Sequence, residues 1–181
     1  MKNTLVRTCL FIAGLVVAVS CGGKKSVPAD QAKGQYPGTE EGLKKFMGEF
    51  IKDGGANAEK LSLLLRPTAE DFAAVFEGEL AKKAEETYKE PWEKGLLALK
   101  TKPAQTEITL LAVTSEDLKA KSGKSTEFPG GWLEVAPNLK AGLTIYLVRF
   151  TEPGKERGMR FDGLVYVNER WRIFPKPWRI K

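Results

Sequence analysis

The chain carries few of the residue types that usually do chemistry. It contains no histidine, which removes the commonest general base near neutral pH and the commonest metal ligand. Its two cysteines are Cys9 and Cys21. No calcium-loop pattern occurs, and no glycine pattern of the kind that cradles phosphate. Carboxylates and tyrosine hydroxyls are therefore the groups left for proton transfer.

One set of such groups falls in the C-terminal half. Asp162 lies in the strand-like segment Met159–Val167, and Tyr146 and Tyr166 also lie in strand-like segments. A carboxylate base and a tyrosine that donates to an oxyanion could carry an isomerase or dehydratase reaction in a dry pocket. The structural alternative is that Asp162 marks a bulge or a solvated edge, while the tyrosines fill core. Because that alternative needs no substrate, we favour a non-enzymatic domain.

Aromatic and cationic side chains are interleaved in the C-terminal segment 170–181. Such a surface could stack on sugars or bases and neutralise an anionic polymer. Trp171, Arg172, Trp178 and Arg179 would carry this binding. The segment is therefore a candidate site for an envelope polymer or another anionic partner.

The same alternation also fits an ordinary half-buried edge strand over Arg170–Phe174. In that interpretation, which we favour, Trp171 and Ile173 face the core, and Arg170 and Arg172 face solvent. The prolines that follow would end the pairing, and the last tryptophan would pack back onto the domain.

A further aromatic candidate, Trp132, closes the segment Phe128-Pro129-Gly130-Gly131-Trp132. The polar stretch Lys119–Thr126 before it predicts an exposed loop, and recognition groups often lie on such loops. The aromatic pair could form a lid over a ligand. Alternatively, it fastens the loop to the edge of the domain.

The N-terminus has the pattern of a secretory leader. Lys2 and Arg7 precede an apolar run from Leu10 to Val19, after which the chain reads Ser20-Cys21. The run is about half of the ~20 apolar residues that a transmembrane helix needs. The pattern therefore predicts a signal peptide over residues 1–20. Small residues at positions 18 and 20 also leave ordinary signal cleavage open.

Ala18-Val19-Ser20-Cys21 resembles the lipobox of bacterial lipoproteins, although Ala18 replaces the larger aliphatic residue that is usual there. The resemblance implies that Cys21 is acylated through its sulfur and becomes the new N-terminus. One acyl chain holds a protein on a bilayer only marginally, so stable anchoring takes more than one. Gly22 stands where some of these lipoproteins carry an aspartate for inner-membrane retention, which favours the outer membrane of the cell envelope.

Removal of residues 1–20 would leave 27 Lys and Arg against 23 Asp and Glu, a net charge of +4. A nucleic-acid binder usually has a stronger basic excess, so we do not expect that partner. Cys9 leaves with the leader and Cys21 would be acylated, so neither disulfides nor a zinc site is expected, and no cofactor is predicted. The expected partners are the membrane, through the lipid, and an envelope polymer, protein or small apolar ligand.

Glycine and proline punctuate residues 21–38, which predict a flexible linker after the lipidated cysteine. Residues 39–181 are long enough for one domain with its own core. Thr39 can cap a first amphipathic helix, which Gly54-Gly55 ends.

A second helix is predicted over Ala58–Leu65. Thr68 and Asp71 approximate a capping box that opens a third. Gly78 kinks or divides that third helix. The helical pattern then continues through Tyr88, resumes after Pro91 and ends at Pro103.

From Thr106 the apolar pattern changes to that of strands. Five segments are predicted: Thr106–Val113, Trp132–Val135, Leu143–Phe150, Met159–Val167 and Arg170–Phe174. Asn168-Glu169 predicts the turn of the last hairpin, because Asn tolerates the left-handed conformation. Helices followed by strands indicate an α+β fold with an antiparallel sheet.

This order, closed by the strand Arg170-Trp171-Arg172-Ile173 after a polar turn, resembles the NTF2-like, cone-shaped α+β superfamily. The resemblance covers about Thr39 to Phe174 and implies N-terminal helices packed on a curved sheet, with a cavity between them. Members of this superfamily include isomerases, dehydratases and non-catalytic binding domains, so the fold does not choose among these functions.

Overall fold

The computed structural model describes residues 33–180. The predicted leader, Cys21 and the linker as far as residue 32 lie outside the described residues. The α-helices of the described part are α1 (Glu40–Glu49), α2 (Ala58–Ser62), α3 (Ala69–Val75), α4 (Gly78–Glu93), α5 (Ser115–Ala120) and α6 (Gly131–Val135). Short 3-10 helices cover Lys52–Gly55, Leu63–Leu65, Gly123–Glu127, Ala136–Asn138 and Pro177–Arg179.

The strands are β1 (Glu107–Thr114), β2 (Thr144–Thr151), β3 (Gly158–Val167) and β4 (Arg170–Ile173). They form an antiparallel sheet in the order β1-β2-β3-β4. The predicted α+β class and antiparallel sheet are therefore confirmed. The expectation that all helices precede all strands is wrong, because α5 and α6 lie between β1 and β2.

The predicted helix starts in the N-terminal half are confirmed in detail. Thr39 caps α1, with its Oγ1 accepting from the Gly42 amide at 3.1 Å. Thr68 and Asp71 form the predicted capping box of α3. Gly78, with φ of 54°, separates α3 from α4. Pro91 lies near the end of α4 and does not interrupt it. Proline lacks the amide that would donate to the Thr87 carbonyl four residues earlier, but Thr87 is exposed, so water can donate to that carbonyl.

Two predictions between β1 and β2 are wrong. The segment Trp132–Val135, expected to be a strand, lies in α6, where the Trp132 amide donates to the Pro129 carbonyl at 2.9 Å. A short apolar run cannot be assigned by periodicity alone, and the turn formed by Pro129 and the two glycines starts a helix here. The stretch Lys119–Thr126 is exposed as predicted, except at Ser125, but it contains the end of α5 and most of a 3-10 helix where a loop was expected.

Aromatic side chains make several of the contacts in the core. Phe174, directly after β4, meets Phe72 and Phe76 edge to face at 5.4 and 5.5 Å between ring centroids. Tyr36 stacks on Phe46 of α1 at 4.5 Å and is 8% exposed. Tyr36, which lies in the stretch predicted as linker, therefore belongs to the core of the described residues.

Arg172 does not face solvent as predicted. Its side chain is 1% exposed, and its Nε donates to Oδ2 of the equally buried Asp71 at 2.7 Å. Its Nη1 donates to the Leu64 carbonyl at 2.7 Å. Alternation correctly puts Arg172 on the other face of the sheet from Trp171, but α3 and the 3-10 helix Leu63–Leu65 lie against Arg172, so its side chain is buried as well.

Asp71 joins three parts of the fold through its two carboxylate oxygens. Besides Arg172, Oδ2 accepts from the Thr68 amide at 2.9 Å, which completes the cap of α3. Oδ1 accepts from Nδ2 of Asn168 in the β3–β4 turn at 2.8 Å. Asn168 and Glu169 have φ of 50° and 60°, which confirms the predicted left-handed turn.

A bulge in β3 sets the position of Asp162. Tyr146 pairs with Leu164 and Leu147 pairs with Asp162, so Gly163 is the extra residue on β3. Gly163 has φ of 90°, and a Cβ there would lie 2.3 Å from the Phe174 carbonyl oxygen. The bulge that sequence reasoning offered as the structural alternative for Asp162 is therefore present beside it.

We predict that Arg172→Met lowers the free energy of unfolding by about 3–5 kcal/mol, because it leaves the Asp71 carboxylate buried without its charged partner. Urea denaturation followed by tryptophan fluorescence measures the change. The control is Arg179→Met at an exposed arginine, expected to stay within about 0.5 kcal/mol of the parent. Equal, small losses in both variants would contradict the structural role of the pair.

We predict that Gly163→Ala destabilises the protein more than Gly154→Ala does. Both glycines have positive φ, but a Cβ at Gly154 meets nothing within 4 Å, whereas at Gly163 it meets backbone. The difference should be about 1–3 kcal/mol in the free energy of unfolding, since the backbone must shift to admit the methyl group. Equal effects in the same denaturation assay would show that the bulge tolerates a side chain.

Candidate functional site

A cavity of about 470 Å³ opens beside the outer edge of β3. Four parts of the chain enclose it: the end of α4, the loop after α4, the free edge of β3, and the C-terminal segment beyond β4. The lining residues are Thr87, Tyr88, Pro91, Leu96, Leu97, Ala98, Leu99, Arg160, Phe161, Asp162, Ile173, Pro175, Lys176, Arg179 and Ile180.

The short length of β4 leaves room for this cavity. β4 pairs with β3 only from Leu164 to Val167. The preceding residues of β3, Arg160 to Asp162, therefore have no strand beside them on that side, and the C-terminal segment passes them instead. Their side chains line the cavity.

Two contacts fasten the C-terminal segment beside the cavity. The Tyr88 hydroxyl of α4 donates to the Pro175 carbonyl at 2.8 Å. Trp178 meets Trp132 of α6 edge to face at 6.0 Å, and it packs so closely on Gly131 that a Cβ there would lie 2.1 Å from the indole. This segment, residues 174–180, is called the tail below. It is thus held on both sides of Lys176.

Asp162 and Tyr88 are the two titratable groups of chemical interest in the cavity. Asp162 Oδ1 accepts from the Trp132 indole Nε1 at 2.9 Å. Burial raises the pKa of Tyr88 well above its ordinary value, and the Asp162 carboxylate raises it further. Tyr88 therefore stays protonated at neutral pH and acts as a hydrogen-bond donor.

Sequence reasoning did not single out Tyr88 as a site residue. It fits the helical pattern of α4, and nothing in its spacing indicates that the helix passes beside residue 162. An aromatic residue on the buried face of a helix gives no signal that distinguishes a cavity wall from a filled core.

Three cations line the cavity, and all three side chains belong to exposed residues: Arg160, Lys176 and Arg179. Within residues 33–180 none of the three forms an ion pair. Asp162 is the one carboxylate in the lining. The polar side of the cavity is therefore positively charged overall.

The two tyrosines proposed to act with Asp162 lie elsewhere. Tyr146 and Tyr166 pack around the Trp171 ring at 5.4 and 5.3 Å between centroids, and neither lines the cavity. Burial raises the pKa of Tyr146, with a smaller contribution from Glu40. The structure therefore brings Asp162 together with Tyr88, and not with the tyrosines that the sequence suggested.

The five residues proposed for ligand binding do not form one surface. Trp132, Trp171 and Arg172 are buried, and the Trp171 indole donates to the Pro37 carbonyl at 3.1 Å. Trp178 is half-buried against Trp132, while Arg179 is exposed and lines the cavity. Of this set, Arg179 alone contributes to the cavity.

The described residues offer neither a metal-binding cluster nor a membrane-spanning helix. Among residues 33–180, no three Asp, Glu, Cys or His side chains gather where they could hold a metal ion. In that range, too, no helix combines the length and apolar character needed to cross a membrane.

Comparison with known proteins returns no relative. No family model matches the chain, and no curated protein and no solved structure matches it.

Proposed function

We propose that this chain is an exported, lipid-anchored protein of the bacterial cell envelope whose domain binds a ligand without transforming it. The lipid anchor rests on the lipobox-like Ala18-Val19-Ser20-Cys21, and the outer membrane is favoured by Gly22. The binding role rests on the cavity beside β3.

The composition of the cavity is the observation that carries the binding role. Its volume of about 470 Å³ falls in the range of about 300–1,000 Å³ that small-molecule sites occupy. Most of its lining is aliphatic or aromatic, and four of its residues are charged. Mostly apolar walls with a small number of polar groups are typical of binding sites.

Kinship with the NTF2-like superfamily is part of the proposal. Four helices precede the first strand, the sheet is antiparallel, and the bulge at Gly163 favours curvature of the sheet. The two helices between β1 and β2 depart from the simple order on which the resemblance was based.

The first described residues and the cavity lie near different ends of β3. The Gly34 amide donates to the Glu169 carbonyl at 3.1 Å, so the chain enters the domain beside the β3–β4 turn. Arg160 lies seven residues before the C-terminal end of β3, or about 20 Å along the strand. The first described residues therefore meet the domain at a distance from Arg160.

An enzyme is the second candidate, favoured by the presence of Asp162 and Tyr88 in one cavity. Asp162 would be the base and Tyr88 the donor to an oxyanion. Both groups already make hydrogen bonds within the fold, to Trp132 and Pro175 respectively, which is the reason that we rank binding first.

Acylation of Cys21 is tested by growing cells with alkynyl palmitate and tagging the purified protein. We predict that the wild-type protein is labelled, that Cys21→Ser is not, and that Cys9→Ser is labelled normally because Cys9 leaves with the leader. Mass spectrometry should find residue 21 at the N-terminus of the mature chain. An unlabelled wild-type protein, or one that retains residues 1–20, contradicts the proposal.

Asp162→Asn separates the binding domain from the enzyme, because it removes the charge but keeps an oxygen that can accept from Trp132. For a ligand recovered from the native protein, we predict that the dissociation constants of wild type and variant agree within about tenfold. We also predict that mass spectrometry finds the ligand unchanged after incubation with the wild type. Conversion of the ligand by the wild type but not by the variant would establish the enzyme instead.

A further inference from the structure

We infer that the cavity beside β3 binds an amphipathic anion, with its hydrocarbon body against the apolar wall and its charged head against Arg160, Lys176 and Arg179. This inference rests on the proposed binding function and names the class of ligand.

The apolar wall is shaped for a hydrocarbon. Phe161, Ile173 and Ile180 line it on the side of the sheet and tail, and Leu96 and Leu97 line it on the side of the loop after α4. Leu96 is 71% exposed, one of two large apolar side chains that the described residues leave exposed. Covering apolar surface of this kind favours binding.

The fold fixes the backbone that carries the three cations. Lys176 and Arg179 belong to the tail that the Tyr88 hydroxyl and the Trp132–Trp178 contact hold on its two sides. Lys176 has φ of 54°, a left-handed conformation that is unusual for a lysine. Arg160 projects from the rigid strand β3. Binding an anion therefore orders the side chains of these cations but little of the backbone.

Charge complementarity selects an anion over a cation. The lining carries three cations and one carboxylate, and that carboxylate, Asp162, is held by Trp132 at the side of α6. With no ion pair among the three cations and the other described residues, an anionic head gains attraction without first breaking a bond. A head close to Asp162 would be repelled, so we place it nearest Lys176 and Arg179 in the tail, with Arg160, two residues before Asp162 on β3, as the third cation.

The shape of the site favours a single small amphiphile over a peptide that adds to the sheet. The free stretch of β3 beyond β4 runs only from Gly158 to Gly163, and the Gly163 carbonyl already accepts from the Phe174 amide at 2.9 Å. The tail and the loop after α4 flank the rest of it. A concave space with a charged side is the geometry of a small-molecule site.

The test measures binding by calorimetry, using the mature chain, residues 21–181, made without a leader so that Cys21 carries no lipid. The domain it contains has its own core over residues 36–174. The first probe is laurate below its micelle concentration. The other two are dodecyltrimethylammonium, which has a hydrocarbon chain of the same length and the opposite charge, and butyrate, which has the same carboxylate head and a short hydrocarbon chain. We expect laurate to bind at least about tenfold more tightly than either of the others, and its affinity to fall as salt is added.

Variants locate the site. Arg160→Gln combined with Arg179→Gln should weaken laurate binding by about fivefold to thirtyfold, at up to about 1 kcal/mol for each exposed pair. The charge control is Arg157→Gln, at an exposed arginine outside the cavity lining. Leu96→Ser should weaken binding severalfold, with Leu63→Ser, at the other exposed leucine, as its control. Because all these side chains are exposed, thermal unfolding should show intact folds.

Each outcome has a distinct meaning. Tighter binding of the cationic probe, or equal effects of site and control variants, overturns the inference. If laurate does not bind but a ligand of another class is recovered from the native protein, the inference fails and the binding function stands. If no ligand of any class is recovered or binds, both fail. Sedimentation with phosphatidylglycerol vesicles distinguishes the source of the amphiphile. Cosedimentation that is lost in the double arginine variant indicates a lipid of the bilayer. Binding of laurate without cosedimentation indicates a free amphiphile.

Discussion

The buried ion pair between Asp71 and Arg172 is the contact on which the rest of this structure depends. Two charges have been taken out of water, which costs several kcal/mol unless each finds partners. Asp71 finds them in Arg172, in the Thr68 amide and in Asn168, while Arg172 also bonds to the Leu64 carbonyl. These bonds are satisfied together only when α3 lies against β4 in one register.

The ion pair also influences the cavity, because it positions β4 and the chain that follows β4 into the cavity wall. Arg172 fixes β4, and the chain runs from there through Ile173 and Phe174 into the tail that carries Lys176 and Arg179. Phe174 packs against Phe72 of α3 and against Phe76 just after that helix, and its amide donates to the Gly163 carbonyl at the bulge. The buried ion pair thus helps to hold the tail in its position beside the free edge of β3, where the tail forms part of the cavity wall.

The sequence predicted those features that local patterns determine. The caps at Thr39 and Thr68, the division at Gly78, the last hairpin and the β1, β2, β3 and β4 segments are confirmed because capping, turn and alternation signals act over a few residues. The helix at Trp132 was missed because a short apolar run fits a strand or a helix equally well.

The site itself could be predicted only in part, because it joins distant parts of the chain. Asp162 and Arg179 were singled out and line the cavity, but the partner of Asp162 across the cavity is Tyr88, which no sequence spacing indicates. The burial of Arg172 was missed for a related reason: alternation predicts which face of the sheet a side chain occupies, but not that a helix with an acidic cap covers that face.

The most direct test of the central claim is a crystal structure of the mature protein purified from cell envelopes without added ligand. Our account predicts elongated density between Leu96 and Phe161 that ends beside Arg160, Lys176 or Arg179, with Tyr88 still bonded to the Pro175 carbonyl. A cavity closed by its own side chains, or a bound ligand whose charged end is a cation against Asp162, would contradict it.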